Sequence, residues 1–204
     1  RYGELFLKGK NRPLFEKKLV ENIKKIAVGP KIRKIQGRLV ADYFSEHTKL
    51  RNVFGLVSYS PALRAEKKEK SILEAAAVLL KGKKGTFKIE TKRSDKSFLT
   101  TSMEFNKIAG MFIEKNTALS FCSENPETVL GIEINQDGAY LFLETISCFG
   151  GLPTGVEGKA LLLVENEASL LAGLLFMKRG CSVIPVAFGD KDISLLQKFS
   201  PTTL

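Results

Sequence analysis

Residues 159–188 constrain the fold more than any other stretch. KALLLV is an apolar run of six, ENEAS a polar turn, LLAGLLFMKRG a helix-length apolar stretch closed by Lys178, Arg179 and Gly180, and CSVIPVAF a second Val/Ile-rich run. In that order they predict strand, loop, helix and parallel strand, which is one βαβ unit. The first strand-to-helix turn of such a unit attracts nucleotide phosphates, through unpaired helix N–H groups and the positive end of the dipole. A phosphate cradle calls for glycines there, because positive φ lets the backbone approach the anion. This turn reads Val164, Glu165, Asn166, Glu167, Ala168, Ser169, with no glycine and two carboxylates. It has the outline of a phosphate site without its backbone.

Over 204 residues, 44% hydrophobic and 26% charged content is a globular composition, enough for one large domain or two small ones. No apolar run approaches the ~20 residues needed to cross a bilayer, and RYGELF lacks the layout of a signal peptide. A cytoplasmic chain without a membrane partner is therefore expected. It opens on Arg1 and stops just after one βαβ crossover, so residues are expected to be missing at both ends. Cys122, Cys148 and Cys181 are too widely spaced for a disulfide framework or a CxxC metal pair, which predicts reduced thiols and no metal site. His47, the one histidine, has no nucleophile nearby and reads as a surface residue.

The net charge of +10 is concentrated at one end. Residues 1–64 hold 15 Lys/Arg against 5 Asp/Glu, residues 65–150 hold 12 against 12, and residues 151–204 hold 5 against 5. A basic first third beside two neutral segments is the footprint of a polyanion binder, because neutralised phosphates release condensed counterions. Lysine-rich surfaces also serve solubility alone, but confinement to one segment argues against that alternative.

Along the chain, residues 2–7 alternate as a strand. The loop Lys8, Gly9, Lys10, Asn11, Arg12, Pro13 then leads into a helix from 14 to about 27, ended at Gly29 and Pro30. KIRKI and RLVADYF are strands joined at Gln36 and Gly37, a second helix covers 46–54, and 56–59 closes as a strand. The order βαββαβ is ferredoxin-like. Lys8, Lys10 and Arg12 crowd the start of the first helix and are the first candidates for phosphate contacts. Next come a helix over 67–80 and a strand over 86–91. The basic loop Lys92, Arg93, Ser94, Asp95, Lys96, Ser97 leads to a helix capped by Thr100 or Thr101 with Glu104 in its first turn. A hairpin pairs 129–134 with 139–146 around Gln136, Asp137 and Gly138. Residues 149–158, with four glycines and a proline, are a linker or a tightly turned loop, and 190–199 begins a further helix. The parts are thus 1–64, 65–148, 149–158 and 159–204: an α+β front followed by the start of an α/β domain.

Four stretches carry a resemblance. Arg1, Tyr2, Gly3, Glu4 with Lys8, Gly9, Lys10, Asn11, Arg12 resembles the opening of the tRNA sulfurtransferases, also called tRNA 4-thiouridine synthetases or thiamine biosynthesis sulfurtransferases. Residues 88–97 with Ser102 resemble the RNA-binding THUMP domain, 150–159 the junction after it, and Met177, Lys178, Arg179, Gly180 the helix after the family's PP-loop. Together, in order and spacing, they cover nearly the whole chain. The resemblance implies a ferredoxin-like domain and a THUMP domain that hold tRNA near its 3′ end. It implies, joined to them, a Rossmann-like adenine-nucleotide α-hydrolase domain that adenylates a uridine with ATP before persulfide sulfur replaces the activated oxygen. It also implies tRNA-backbone contacts from Lys8, Lys10, Arg12, Lys88, Lys92, Arg93 and Lys96, with Asn11 as a polar partner.

One departure matters. The family's PP-loop reads Ser-Gly-Gly-Ile-Asp-Ser, and in register from Lys178 those positions hold Val164, Glu165, Asn166, Glu167, Ala168 and Ser169, so only the last is kept. Like charges ~4 Å apart repel by roughly 4 kcal/mol near a protein surface, and two carboxylates here would face an ATP polyphosphate. ATP is therefore not expected at this loop. The family's sulfur-handling cysteine lies deeper in the hydrolase domain than residue 204, and no catalytic residue is assigned. The reading is a tRNA-binding member without its own ATP-dependent activation. The alternative is an active sulfurtransferase completed by further chain, or by a partner that supplies the ATP and sulfur chemistry. One βαβ unit cannot bury both faces of its sheet, so a second copy is a further expected partner.

Overall fold

In the computed structural model, which describes residues 1–27, 30–35 and 37–204, the chain divides into two units: Arg1–Tyr59 with Ile146–Leu204, and Ser60–Thr145 between them. The expected helix stop at Gly29 and turn residue Gln36 lie outside the described residues.

The first unit opens with a 3-10 helix, Glu4–Asn11, where the sequence pattern predicted a strand at 2–7. Leu5 of this helix enters the core beside Tyr2, which precedes it, while Phe6 and Leu7 stay exposed. A strand would have buried residues two apart. Gly9, with φ 51° and ψ −124°, leaves helical geometry and redirects the chain into α1, Arg12–Ile26, which has Pro13 in its first turn. This helix begins two residues before the predicted start and buries Phe15, Leu19 and Ile23 along one stripe. Strands β1, Ile32–Ile35, and β2, Arg38–Ala41, pair antiparallel. The helix expected over 46–54 is a shorter 3-10 segment, His47–Asn52; Leu50 and Val53, three apart, are buried. Of the strand expected over 56–59, only β3, Ser58–Tyr59, forms.

The second unit contains β4 Leu63–Ala65, α2 Glu69–Leu80, β5 Lys84–Arg93, α3 Ser102–Asn116, β6 Ala118–Phe121, β7 Thr128–Asn135 and β8 Gly138–Phe142. Its sheet runs β4-β8-β7-β5-β6, with β5 parallel to β6 and β7 and the other pairs antiparallel. Ile72, Ala76 and Leu80 of α2 and Phe105, Ala109 and Ile113 of α3 share one core with Phe87, Ile89, Leu130, Ile132 and Leu141 of the strands. Thr101 starts α3 with a reciprocal cap: its hydroxyl accepts the Glu104 N–H at 3.3 Å, and the Glu104 carboxylate accepts the Thr101 N–H at 3.0 Å. The hairpin strand β8 stops at Phe142, short of the predicted 146.

The chain then rejoins the first unit through β9, Ile146–Ser147, antiparallel to β3. Residues 148–158 are bonded along their length. Gly150 exchanges backbone hydrogen bonds with Gly55 and Leu56 at 2.8 Å each, the Leu152 N–H donates to the Lys178 carbonyl at 2.9 Å, and the Glu157 N–H donates to the Gly180 carbonyl at 2.9 Å. Gly151 has φ +78°, and a Cβ there would stand 2.3 Å from the Lys178 carbonyl oxygen. The last elements are β10 Lys159–Leu163, α4 Glu167–Lys178, β11 Ser182–Val186 and α5 Ser194–Phe199. β10 and β11 are parallel, as the βαβ reading requires, and α5 begins four residues later than expected. Phe54 closes this part by packing with Met177, Val183, Leu196 and Phe199, its ring stacked on Phe199 at 5.2 Å. On the other face of β10 and β11, Leu161, Leu163, Ile184 and Val186 are exposed.

Candidate nucleic-acid interface and the loop before α4

Four of the predicted contact residues fall where the first 3-10 helix becomes α1. Lys10 and Asn11 are exposed. Lys8 is tied back: its Nζ is 3.0 Å from Glu157 Oε1 and 4.5 Å from the Phe15 ring centroid. Arg12 is anchored further. Its Nε donates to Glu16 Oε1 at 2.6 Å, its Nη2 to the Tyr2 hydroxyl at 3.2 Å, and its guanidinium lies 4.4 Å from the Phe6 ring centroid.

The carboxylate beneath this cluster was not singled out by the sequence pattern. Glu16 is 3% exposed and accepts from Tyr2 Oη at 2.7 Å as well as from Arg12, while Lys34 Nζ donates to its second oxygen. Burial alone pushes the Glu16 carboxyl up; hydrogen bonds from Lys34, Tyr2 and Arg12 outweigh it and hold the group below the usual carboxylate range. The Tyr2 phenol is pushed up by its own burial and by donation to that anion. The Arg12–Glu16 spacing of four is legible on a helix. The approach of Lys34 from β1 is not.

The second basic set lies on β5 and the loop after it. Strand alternation turns Phe87 and Ile89 into the core and Lys88, Glu90 and Lys92 to the opposite face, with Lys88 Nζ 3.6 Å from Glu90 Oε1. Lys92 and Lys96 are exposed. Arg93 projects with the core-side residues and clamps the loop instead: its Nη1 donates to the carbonyls of Phe98 at 2.6 Å and Thr100 at 3.1 Å. Asp95 is fixed by Lys67 Nζ and by the Ser97 N–H at 2.9 Å, which pull its pKa down to about 2.

The loop between β10 and α4 has a buried first residue, Val164, whose N–H donates to the Val186 carbonyl at 2.8 Å. Asn166 is the N-cap of α4 and its Oδ1 accepts the Ser169 N–H at 3.2 Å; the Ser169 hydroxyl accepts the Glu165 N–H at 3.3 Å. Side chains of the loop thus engage two of the N–H groups that an anion would seek. Glu165, Asn166, Glu167 and Ala168 are all exposed. The three cysteines are free thiols, and burial pushes that of Cys148 up. Partly buried His47 meets the Tyr59 hydroxyl through Nδ1 at 3.2 Å. Among the described residues no group of three or more His, Cys, Asp or Glu is placed to hold a metal ion, and no helix is long and apolar enough to cross a membrane.

Residues 1–60 match the family model of the ThiI ferredoxin-like domain, and residues 66–144 that of the THUMP domain. A probable tRNA sulfurtransferase of Mycoplasmopsis synoviae is 40% identical over 185 residues, covering 90% of this chain and 49% of its own. One of Brevibacillus brevis is 35% identical over 201 residues, covering 92% and 50%. The chain therefore spans about half the length of the curated relatives it matches. Among solved structures, a 4-thiouridine synthetase in complex with RNA and with bound ATP matches with a TM-score of 0.86 at 30% identity, over 98% of this chain and 58% of that one. PH1313 from Pyrococcus horikoshii matches with a TM-score of 0.88 at 34% identity, over 98% and 73%.

Proposed function

Because this chain belongs to the tRNA sulfurtransferase family and carries its RNA-binding THUMP domain, we propose that it binds tRNA and does not itself activate it with ATP. Two features support the RNA half. The excess charge lies in residues 1–64, and exposed Lys10, Asn11, Lys92 and Lys96 are free to meet phosphate without first leaving a buried site. A basic surface of this kind suits recognition of RNA by shape and backbone.

The observation that carries the second half is the loop before α4. It has no glycine to bring backbone N–H groups around a pyrophosphate, Asn166 caps the helix from within, and Glu165 and Glu167 put negative charge at its mouth. These residues do not fit a nucleotide polyphosphate. Titrating ATP into the protein by calorimetry, with and without tRNA, tests this against a Glu165→Gly, Asn166→Gly, Ala168→Asp variant. The parent is expected to give no ATP heat while binding tRNA in a salt-sensitive manner. Micromolar ATP binding by the parent would overturn the reading. The intact strand, loop and helix frame of β10, α4 and β11 favours a second reading: an active sulfurtransferase completed by further chain or by a sulfur-donor or ATP-using partner. That reading alone predicts ATP-dependent thiolation of uridine in bound tRNA.

A further inference from the structure

Glu16 is a nearly buried carboxylate in the most basic part of the chain, and its two cationic partners, Arg12 and Lys34, have donors to spare. Arg12 commits Nε to Glu16 and one Nη2 hydrogen to Tyr2, leaving three of its five N–H groups; Lys34 commits one of three. The Lys34 side chain is 55% exposed and that of Arg12 31% exposed. The single Tyr2 hydroxyl proton goes to Glu16, so the phenol receives Arg12 and locks it in place, with Phe6 stacked on Tyr2 at 5.0 Å and covering the guanidinium. Long cationic side chains are rotamer-rich, and ordering them before a ligand arrives removes that entropy from the cost of binding.

We propose that Glu16 is a positioning residue for RNA: its buried carboxylate fixes Arg12 and Lys34 as a pair whose remaining N–H donors meet the same stretch of phosphate backbone. This rests on the tRNA-binding reading. It makes a prediction opposite in sign to simple electrostatics. A carboxylate among cations lowers the local positive potential, so by charge alone Glu16→Gln would tighten RNA binding. Positioning requires that it weaken binding.

The test measures tRNA affinity of the full chain as a function of salt for the parent, Glu16→Gln, Lys34→Gln and the double variant. Glu16→Gln is expected to bind about tenfold more weakly, with a log–log salt slope shallower by about one, the loss of one phosphate contact. Lys34→Gln is expected to do the same, and the double variant to be little worse than either, because both remove one unit. Equal or tighter binding by a folded Glu16→Gln, with the parent binding as expected, overturns the positioning role and leaves the RNA reading standing. Failure of the parent to bind tRNA at low salt overturns both. Should Glu16→Gln not fold, Arg12→Gln and Lys34→Gln decide: coupled losses support the pair, and additive losses overturn it.

Discussion

Asp95 stands at the bend of the second basic loop, held by the Lys67 ammonium and the Ser97 N–H. Its carboxyl is depressed from the ordinary 3.8 to about 2. A depressed carboxylate contributes stability that is present above its unfolded value and is lost as pH falls through its folded value. The loop is therefore expected to keep its form through pH 4 and to lose this contribution as pH falls from there toward 2. An NMR titration of the Asp95 carboxyl should show a midpoint near 2, and Lys67→Met should move it back toward the ordinary value; an unshifted midpoint in the parent would remove the ion pair from the account. Single residues were legible here as charges but not as directions. Lys92 and Arg93 are adjacent cations in the sequence, yet one faces solvent and the other is spent on the Phe98 and Thr100 carbonyls. Glu16 was hidden for a related reason, since nothing local in Phe15-Glu16-Lys17 announces that a lysine of β1 will reach it.

At the scale of elements, long segments with terminal signals are legible in the sequence. The α3 helix has an apolar stripe and a capping pair, Thr101 and Glu104, both of which form. Thr101→Ala is expected to cost about 1 kcal/mol in a denaturant titration. Short segments are ambiguous because six residues support periods of two and three alike, and in the first of them the exposure of Leu7, two residues after buried Leu5, goes against a strand. Residues 149–158 show what composition conceals. Their glycines look like slack, but Gly151 is a point of closest approach to the end of α4. Gly151→Ala combines left-handed backbone strain with a clash against the Lys178 carbonyl and is expected to destabilise by at least about 2 kcal/mol. Gly158→Ala has the backbone term alone, φ +110° with open space around the added carbon, and should cost less. Equal effects in chemical denaturation would mean that the approach at Gly151 yields without cost.

The molecule as a whole is organised out of chain order. The unit Ser60–Thr145 interrupts another that is built from both ends of the chain. Local periodicity cannot reveal this, since Phe54 meets Phe199 and Asn22 donates to the Thr154 carbonyl across long separations. Expressed alone, residues 60–145 contain their own core and are expected to melt cooperatively by circular dichroism. Residues 1–59 alone lack Leu152 and the partners of Phe54 and are expected not to. Synthesis on the ribosome turns this arrangement into a schedule. The opening residues emerge first, yet their core waits until Leu152, Leu196 and Phe199 have been made, whereas the inserted unit is complete once residue 145 has left the exit tunnel. The most basic third of the chain is thus the part that remains longest unfinished, and a nascent chain from which residue 145 has emerged but Leu196 and Phe199 have not would present a folded THUMP unit beside an unfolded cationic segment.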